Sequence, residues 1–592
     1  MMTPYQDELK AGAQLEARSS AADTGAILLC VALFLLAAVV TNPRLEMGVN
    51  DDWSYTYAAR EFAFTGRIAY DGWATPMLLP QIVWAALFIK LFGFSFFVVR
   101  LSTMVLGAFL IPVLYSLGRV SGLAPPFAVF ATLLTALSPL VMPEAVSFMS
   151  DVPAFFLFAL CIYGGVQSWK ASTSRACMMW AGLTGMAGVL SGLDRQIYFV
   201  APLLFLPVVA WIHRRKQNVV IAMGVVWLLT AAVMVYFLLW FQAKPYSVAV
   251  PVLDTWKHSG FPYLAANTLI VLIEFGLTAG LILLPLLAGY AAPGLKAGSK
   301  PAFLVLAGLW AGGLATSMQR NHAFPGMGNI LTEYGILPPG MVEIGARPVI
   351  LGPAIRDALT LAVLLCWSGC GLALWKRRAA AGSRLWQDPV TPLLVLGLVF
   401  AGGWLPPLLY RSVAADTFDR YLIPFLPLIA IPLLRYYQVH IGSRVSRLSW
   451  AMLAVFALYG VATTHDAYAA GRARLTAAQA LRQAGIPRTA IMAGYEYDGW
   501  TELETTGHLN NRFIENPAGA YRPVKCTGPD TVRVWYLDLT PSIQARYFVV
   551  LSRSPELEDG PAAPVNYTAW LPPARRQVFT QMLPEGAYAG CR

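Results

Sequence analysis

Long apolar blocks alternate with short polar segments along most of the chain. The blocks are roughly 17 to 25 residues long, which is the length of helix that crosses a bilayer core. They lie at 25–41, 77–93, 97–118, 124–141, 152–169, 176–192, 196–212, 218–241, 264–291, 301–318, 349–374, 389–410, 421–437 and 448–464. This pattern predicts an all-α polytopic membrane bundle over residues 25–466.

The block at 77–93 is predicted to lie in the membrane interface instead of crossing it. It carries Gln81 and Lys90 and follows Thr75–Pro76, and such amphipathic helices lie along the membrane surface. With this block excluded, the basic clusters between the other blocks all fall on the side of the N-terminus, as the positive-inside rule requires. Those clusters are Arg119, Lys170/Arg175, Arg214–Lys216, Lys296/Lys300, Lys376–Arg378 and Arg435/Arg444/Arg447.

This assignment predicts about thirteen transmembrane helices. Residues 1–24 are then a cytoplasmic tail, 42–96 form the first outer loop with its interfacial helix, and the C-terminus lies outside. The more polar tail at 467–592 is predicted to be a small extracytoplasmic α/β domain, because it combines an amphipathic stretch with short runs of β-branched and aromatic residues. The amphipathic stretch is Ala477–Ala484, and the strand-like runs are Ala490–Ala493, Val532–Leu537 and Tyr547–Leu551.

Two cysteines of the tail, Cys526 and Cys591, are candidates for a disulfide. They are the only cysteines in 467–592, and an oxidising outer compartment permits such a bond. Two cysteines of one domain need not be close, however, so the sequence leaves free thiols as the alternative.

Composition supports the membrane assignment and changes the meaning of the positive charge. The 592 residues are 57% hydrophobic and 13% charged, with a mean hydropathy of +0.56, whereas soluble domains carry about 25% charged residues. The formal net charge of +11 is concentrated in short loops, where it orients a membrane protein. We expect a bacterial plasma (inner) membrane location, membrane lipids as partners and no nucleic acid.

Acidic residues follow or open the predicted spans on the outer side. Asp51 and Asp52 come just after the first span, and Asp151 opens a later one. Two adjacent carboxylates near an apolar surface repel each other, which should raise the pKa of one toward the range of a general base. The alternatives are a solvated acidic loop for the pair and helix capping for Asp151.

Arginines occupy other predicted outer span ends. Arg195 and Arg420 are placed there, and a guanidinium matches the geometry of a phosphate group through paired donors. The alternatives are a local pair of Arg195 with Asp194 and snorkelling of Arg420 to the interface.

These residues stand in longer motifs. The motifs are Asn50–Asp51–Asp52–Trp53–Ser54–Tyr55, Ala58–Ala59–Arg60–Glu61, Trp73–Ala74–Thr75–Pro76, Val99–Arg100–Leu101–Ser102, Ser150–Asp151–Val152–Pro153 and Asp419–Arg420–Tyr421–Leu422–Ile423–Pro424. Together they resemble the polytopic C-superfold (GT-C) glycosyltransferases, among them the dolichyl-phosphate-mannose protein mannosyltransferases and the lipid A aminoarabinose transferases. One departure is Ala74–Thr75–Pro76, where family members often carry His-Pro-Pro or Lys-Pro-Pro.

The resemblance implies an inverting glycosyltransferase. Its donor would be a polyprenyl-phosphate-linked sugar, and its acceptor a lipid, glycan or protein on the extracytoplasmic face. Asp51 is the first choice for the base, while Asp52 and Asp151 are expected to bind the acceptor, to position groups, or to hold a divalent cation where one is used. Arg195 and Arg420 are expected to bind the donor phosphate. Further candidates are Tyr55, His322, Tyr334 and Tyr421.

A transporter or flippase of a lipid-linked or hydrophobic solute is the alternative function. Such proteins place ionisable residues near the bilayer midplane on interrupted helices, and here only Glu274 lies so deep within an apolar block. A nucleotide-sugar donor is poorly supported, because no glycine-rich turn follows a predicted strand. A polymerase or ligase of surface polysaccharide would use a similar donor and stays open.

Overall fold

The computed structural model describes residues 4–248, 261–296, 298, 300–319, 327–337, 342–382, 385–414 and 418–591. Most of these residues are helical. The helices are α1 (Pro4–Val40), α2 (Asp52–Thr65), α3 (Leu79–Phe92), α4 (Phe96–Val120), α5 (Pro125–Ala136), α6 (Val141–Ala145), α7 (Asp151–Lys170), α8 (Ser174–Asp194), α9 (Val200–Ile212), α10 (Gln217–Gln242), α11 (Phe261–Ile282), α12 (Leu284–Leu295), α13 (Lys300–Gln319), α14 (Pro353–Gly382), α15 (Thr391–Ala414), α16 (Phe425–His440), α17 (Arg447–Gln483) and α18 (Tyr495–Thr506).

Seven of the described helices are long and apolar enough to cross a membrane. They lie in α1, α4, α7, α8, α10, α14 and α17. The pair α11 and α12, bent by 93° at a short break, would add an eighth crossing if it acts as one span. Shorter apolar helices are Leu79–Phe92, Pro125–Ala136, Gln196–Ile212, Lys300–Ala315 and Thr391–Pro407. The chain is therefore a mostly helical integral membrane protein.

Helix ends near the predicted first outer loop are set by local residue chemistry. Ser95 caps α4, since its side-chain oxygen accepts the backbone N–H of Val98 at 3.1 Å, which satisfies one of the free donors of a helix start. Helix α2 is followed by Gly66 with a φ of 70°, a left-handed conformation that glycine adopts without strain. These ends turn the chain so that α2, α3 and α4 follow one another closely.

Helices α2 and α3 pack together through small side chains. Ala58 and Ala59 of α2 are buried in one cluster with Ala85 and Ala86 of α3, so the two backbones approach closely. The other face of α3 leaves a row of large apolar side chains exposed. These are Val83, Leu87, Leu91 and Phe92.

The chain after α17 contains a small sheet. Its strands are β3 (Ile491–Met492), β5 (Tyr547–Val550), β6 (Glu558–Asp559), β7 (Val565–Thr568) and β8 (Arg575–Met582). The order is β3-β5-β8-β6, with β7 also pairing with β8. Strands β3 and β5 are parallel and the other pairs are antiparallel. Two-stranded pairs are β1 (Leu331–Thr332) with β2 (Gly335–Ile336), and β4 (Cys526–Thr527) with β9 (Gly590–Cys591).

Two features of this region differ from simple expectations. Helix α17 runs unbroken through the predicted boundary at 466/467. The segment Val532–Leu537 is not a strand, because 3₁₀ turns form at Asp530–Val532 and Leu537–Leu539. Within it, the Tyr536 hydroxyl donates to Asp498 at 3.0 Å.

Cys526 lies opposite Cys591 in the β4–β9 pair, and the two form a disulfide.

Candidate active site

Four charged side chains named from the sequence form one cluster. Arg420 Nη2 lies 3.6 Å from Asp51 Oδ2, and Arg420 Nη1 lies 4.0 Å from Asp151 Oδ2. Arg195 Nη1 donates to Asp151 Oδ1. The four side chains are largely buried, between 4% and 16% exposed. The charges therefore alternate from Asp51 through Arg420 and Asp151 to Arg195; we call these four residues the charged cluster.

Each member of the charged cluster lies at a helix end. Asp51 precedes α2, Asp151 is the first residue of α7, and Arg195 follows α8 directly. Arg420 lies in the 3₁₀ turn Asp419–Leu422 before α16. The four helix ends lie close together, so charged side chains from elements far apart in sequence meet at one site.

The turn that carries Arg420 is anchored by its neighbour. The buried Asp419 carboxylate accepts the backbone N–H groups of Ile330 and Leu331, at 3.0 and 2.7 Å. Burial raises the pKa of Asp419, and these hydrogen bonds oppose that rise. This contact holds the segment 327–337 against the start of α16.

Two hydrogen bonds to Asp51 Oδ1 fix the orientation of the Asp51 carboxylate. The indole N–H of Trp73 donates to Asp51 Oδ1 at 2.8 Å, and the Tyr495 hydroxyl donates to the same atom at 3.3 Å. Oδ2 is left facing Arg420. Sequence reasoning did not assign a role to Trp73 or Tyr495. Trp73 stands in a quoted motif, but Tyr495 lies 444 positions after Asp51 and carries no local signal.

Asp52 points away from the charged cluster. It pairs with Arg100 of α4 at 3.2 Å, and both side chains are fully buried. Its carboxylate also accepts the backbone N–H groups of Val49 at 2.6 Å and Phe148 at 3.2 Å. Burial raises the pKa of Asp52, and the Arg100 guanidinium opposes that rise. Asp52 thus ties α2 to α4; its expected role in binding the acceptor, positioning groups or holding a cation stays a prediction.

The three carboxylates expected to hold a cation do not converge. Asp51 and Asp151 both face Arg420, whereas Asp52 engages Arg100. Over the described ranges, no group of three or more His, Cys, Asp or Glu residues is arranged to hold a metal ion.

The charged cluster and the nearby Glu144 contain polar atoms without hydrogen-bond partners among the described residues. They include Arg420 Nε and Nη1, Asp151 Oδ2 and Glu144 Oε2. Burial raises the pKa of Glu144 well above its usual range; Asp151 adds to that rise, and Arg420 and Arg195 oppose it. Buried polar groups are nearly always paired in folded proteins, so these atoms suit contact with a bound ligand.

The remaining candidates are placed as follows. Tyr55 is buried in α2, and its pKa is raised well above its usual range by burial and by the charge of Asp51. The Tyr421 ring lies under the Arg195 guanidinium at 5.6 Å. Tyr334 lies half-buried in the turn between β1 and β2. His322 lies outside the described residues. Arg195 makes its ion pair with Asp151, and both oxygens of Asp194 lack a hydrogen-bond partner in the described parts of the chain.

Comparison with solved structures finds similarity to GT-C glycosyltransferases, the group that the sequence motifs resemble. ArnT from Cupriavidus metallidurans in the apo state is 14% identical, with 94% of this chain and 98% of that chain covered and a TM-score of 0.38. The same protein bound to undecaprenyl phosphate is 15% identical over the same shares, with a TM-score of 0.37. The Archaeoglobus fulgidus oligosaccharyltransferase in complex with Zn and sulfate is 13% identical, with 76% and 55% covered and a TM-score of 0.30.

No protein-family model matches the chain, and no curated protein matches it. The TM-scores above are all below 0.5, which is too low to establish a shared fold.

Proposed function

We propose that this protein is a membrane glycosyltransferase that uses a polyprenyl-phosphate-linked sugar as its donor. The sugar passes to a hydroxyl group of a lipid, glycan or protein on the extracytoplasmic face. The supporting observation is that Arg420 lies between Asp51 and Asp151, within 3.6 and 4.0 Å of their carboxylates. One site thus offers a carboxylate base and fixed cations.

Asp51 acts as the general base in this proposal. It takes the proton from the acceptor hydroxyl while that oxygen attacks the anomeric carbon of the donor sugar. Trp73 and Tyr495 hold Oδ1, so the carboxylate keeps one orientation toward its substrate. The Arg420 guanidinium lies 3.6 Å from Oδ2, on the side where the donor phosphate is proposed to bind.

Arg420 and Arg195 act on the leaving group. As the bond from the anomeric carbon to the phosphate oxygen breaks, the phosphate gains negative charge, and preorganised cations stabilise that charge. Arg420 has two guanidinium nitrogens without hydrogen-bond partners among the described residues, and each can donate a charge-assisted hydrogen bond to phosphate. ArnT has been solved with undecaprenyl phosphate bound, and we propose a carrier of this class here.

The same proposal sets the topology. If α3 lies in the interface, α11 with α12 forms one broken span, and the other apolar helices cross, the chain has about thirteen spans. The charged cluster and the C-terminal α/β domain then lie on the outer side of a bacterial plasma membrane. The Arg214–Lys216 loop and the other basic clusters lie in the cytoplasm, as the positive-inside rule requires.

The test uses the full-length protein in lipid nanodiscs. A panel of radiolabelled undecaprenyl-phosphate hexoses and pentoses is supplied with a bacterial envelope fraction as acceptor, and the release of the carrier and the transfer of label are measured. Asp51→Asn should lower turnover by about 100-fold or more, because it removes the base. Asp559→Asn is the matched control, since this carboxylate lies in the C-terminal domain with a side chain 67% exposed.

Two outcomes would contradict the proposal. Full turnover by Asp51→Asn would remove Asp51 as the base. Movement of the labelled lipid across vesicle bilayers without any transfer would favour the flippase instead.

A further inference from the structure

A cavity of about 250 Å³ lies between helix α17 and strand β7. Its volume is several times the roughly 30 Å³ of one water molecule. It is below the roughly 300 Å³ at which pockets for drug-sized ligands begin, so the cavity suits one small polar group. We call this space the α17 cavity. The lining residues used below are His465, Ala469, Arg472, Thr476, Asn566 and Thr568.

Arg472 brings a positive charge to the α17 cavity without an acidic partner. Its side chain is half-buried, and Nη1 donates to the backbone carbonyls of Asn42 and Arg44, at 2.7 and 3.4 Å. Over the ranges that the structure describes, no Asp or Glu forms an ion pair with Arg472. None of the described lining residues is acidic. Because a half-buried charge without a counter-charge is costly, the α17 cavity favours an anion.

His465 forms a fixed part of the wall of the α17 cavity. Its Nδ1 lies 3.1 Å from Asp466 Oδ1, and its ring stacks on Trp570 with centroids 4.0 Å apart. The Asp466 carboxylate also accepts the backbone N–H groups of Trp570 and Leu571, at 2.7 and 3.0 Å, and it lies 3.8 Å from Arg576. The imidazole is therefore held in place, and the charge of Asp466 is already paired with a cation.

The helix face that lines the α17 cavity continues into the membrane as an apolar face. Val455 and Leu458 are 62% and 69% exposed, and both lie in the apolar block 448–464. Leu458, His465 and Arg472 are spaced by seven residues, which is close to two helical turns, so their side chains lie nearly in line. One face of α17 thus leads from exposed apolar side chains in the predicted span to a basic cavity just beyond it.

We propose that the α17 cavity binds the phosphate group of a membrane phospholipid, whose acyl chain lies along Val455 and Leu458. Guanidinium groups bind phosphate through charge-assisted hydrogen bonds, and basic pockets beside membrane helices hold lipid headgroups. The hydroxyl groups of Thr476 and Thr568 and the amide of Asn566 are further groups that can hydrogen-bond to a headgroup.

Two features favour a lipid over free phosphate. Free phosphate would gain nothing from the apolar face next to the α17 cavity, whereas an acyl chain would cover it. Trp570, which is 50% exposed beside His465, is of a residue type enriched where the membrane meets water. No member of the charged cluster lines the described cavity, so this inference goes beyond the proposed function.

The first experiment separates the phosphate from the apolar chain. The full-length protein in detergent micelles is titrated with phosphatidylglycerol, diacylglycerol or inorganic phosphate, and native mass spectrometry measures the bound fraction. Phosphatidylglycerol should bind, and the other two should bind about tenfold more weakly or less, because each lacks one half of the ligand. Arg472→Gln should weaken the binding of phosphatidylglycerol by about tenfold, because charge-assisted hydrogen bonds are lost.

Ala469→Leu is a second variant that keeps Arg472 and its bonds to the chain after α1. Ala469 is 6% exposed and lines the α17 cavity, so a leucine there should occupy the space of the headgroup and also weaken binding by about tenfold. Arg482→Gln is the matched control, since Arg482 is exposed near the end of the same helix and does not line the described cavity. It should bind the lipid like the wild type.

Four outcomes would overturn the inference. They are unchanged lipid binding in both Arg472→Gln and Ala469→Leu, an equal loss in Arg482→Gln, binding of diacylglycerol as tight as that of phosphatidylglycerol, and equally tight binding of inorganic phosphate. Displacement of phosphatidylglycerol by a much lower concentration of undecaprenyl phosphate would also overturn it, because the occupant would then be the carrier.

Discussion

At the scale of single residues, adjacent aspartates have different environments. Asp51 has its oxygens divided between two neutral donors and Arg420. Asp52 is fully enclosed with Arg100. A one-residue step along a helix start turns the side chain through about 100°, so one carboxylate faces the site and the other faces α4.

Tyr495→Phe tests the positioning of Asp51. The ring contacts with Trp73 and Trp535 are kept, but one hydrogen bond to Asp51 Oδ1 is lost. We expect kcat to fall by about 3- to 10-fold, as for loss of one neutral hydrogen bond.

Tyr536→Phe is the control for this prediction, since its hydroxyl donates to Asp498 instead of Asp51. An identical fall in kcat in both variants would mean that Tyr495 acts only through the packing of the region after α17.

Asp71→Asn tests the pH dependence of the first predicted outer loop. Burial raises the pKa of Asp71 to about 6, against hydrogen bonds from the Ser54 hydroxyl and the Trp73 backbone N–H. The folded state therefore binds a proton that the unfolded state releases between about pH 4 and 6, so the wild type loses stability as pH rises through that window. The loss is about 3 kcal/mol for a shift of roughly two pKa units.

The measurement is the thermal unfolding of both proteins in nanodiscs across this pH range. Asp71→Asn should gain stability relative to the wild type from pH 4 to 6, and the difference should be constant above pH 6. A difference that does not change with pH would show that Asp71 keeps an ordinary affinity for protons.

At the scale of elements, short polar segments decide how the helices meet. Arg100 of α4 binds Asp52 and also donates to the backbone carbonyl of Leu45 at 2.5 Å and to that of Met47. The chain leaving α1 is thereby fastened to the start of α4. Removing one partner of such a buried charge pair lowers the stability of the fold by several kcal/mol, because the other charge stays buried without a counter-charge.

Asp52→Ala should therefore destabilise the fold by roughly 3–5 kcal/mol. Asp51→Ala should destabilise the fold by less, because Arg420 keeps Asp151 as an anionic partner, yet it should abolish transfer. Monodispersity and thermal unfolding in nanodiscs report the first effect, and donor turnover reports the second. If Asp52→Ala folded normally but lost turnover, Asp52 would belong to the reaction itself.

At the scale of the whole molecule, the region after α17 is joined to the charged cluster through the first predicted outer loop. Glu496 accepts the backbone N–H of Asn50 at 3.2 Å, and Asn511 donates to the Gly72 carbonyl at 2.8 Å. These contacts lie on both sides of Asp51 in the sequence. The domain therefore supports the site as well as contributing Tyr495.

The proposed topology predicts which thiols a reagent reaches from outside. After mild reduction of intact cells, Cys526 and Cys591 should react with a membrane-impermeant maleimide, because their disulfide lies in the C-terminal domain. In a separate variant, Lys216→Cys should react only after permeabilisation, since its basic loop is predicted to be cytoplasmic. The reverse labelling pattern would invert the topology and separate the cluster from an outer donor.

The local pattern of the sequence was sufficient to predict a helical membrane protein and to name every member of the charged cluster. Apolar length and basic loops are local properties, so a single sequence displays them. The region 467–592 was predicted to mix helix and strand, and Ile491–Met492 and Tyr547–Val550 do form strands. The predicted strand at Val532–Leu537 was wrong, because the backbone forms 3₁₀ turns at both ends of this segment.

Only the tertiary structure decided which aspartate faces Arg420, that Arg195 pairs with Asp151 in place of Asp194, and that Tyr495 reaches Asp51. Each of these depends on the direction of a side chain at a helix end and on a partner many positions away in the sequence. Such contacts arise from packing between elements, and the local sequence around each residue does not specify them.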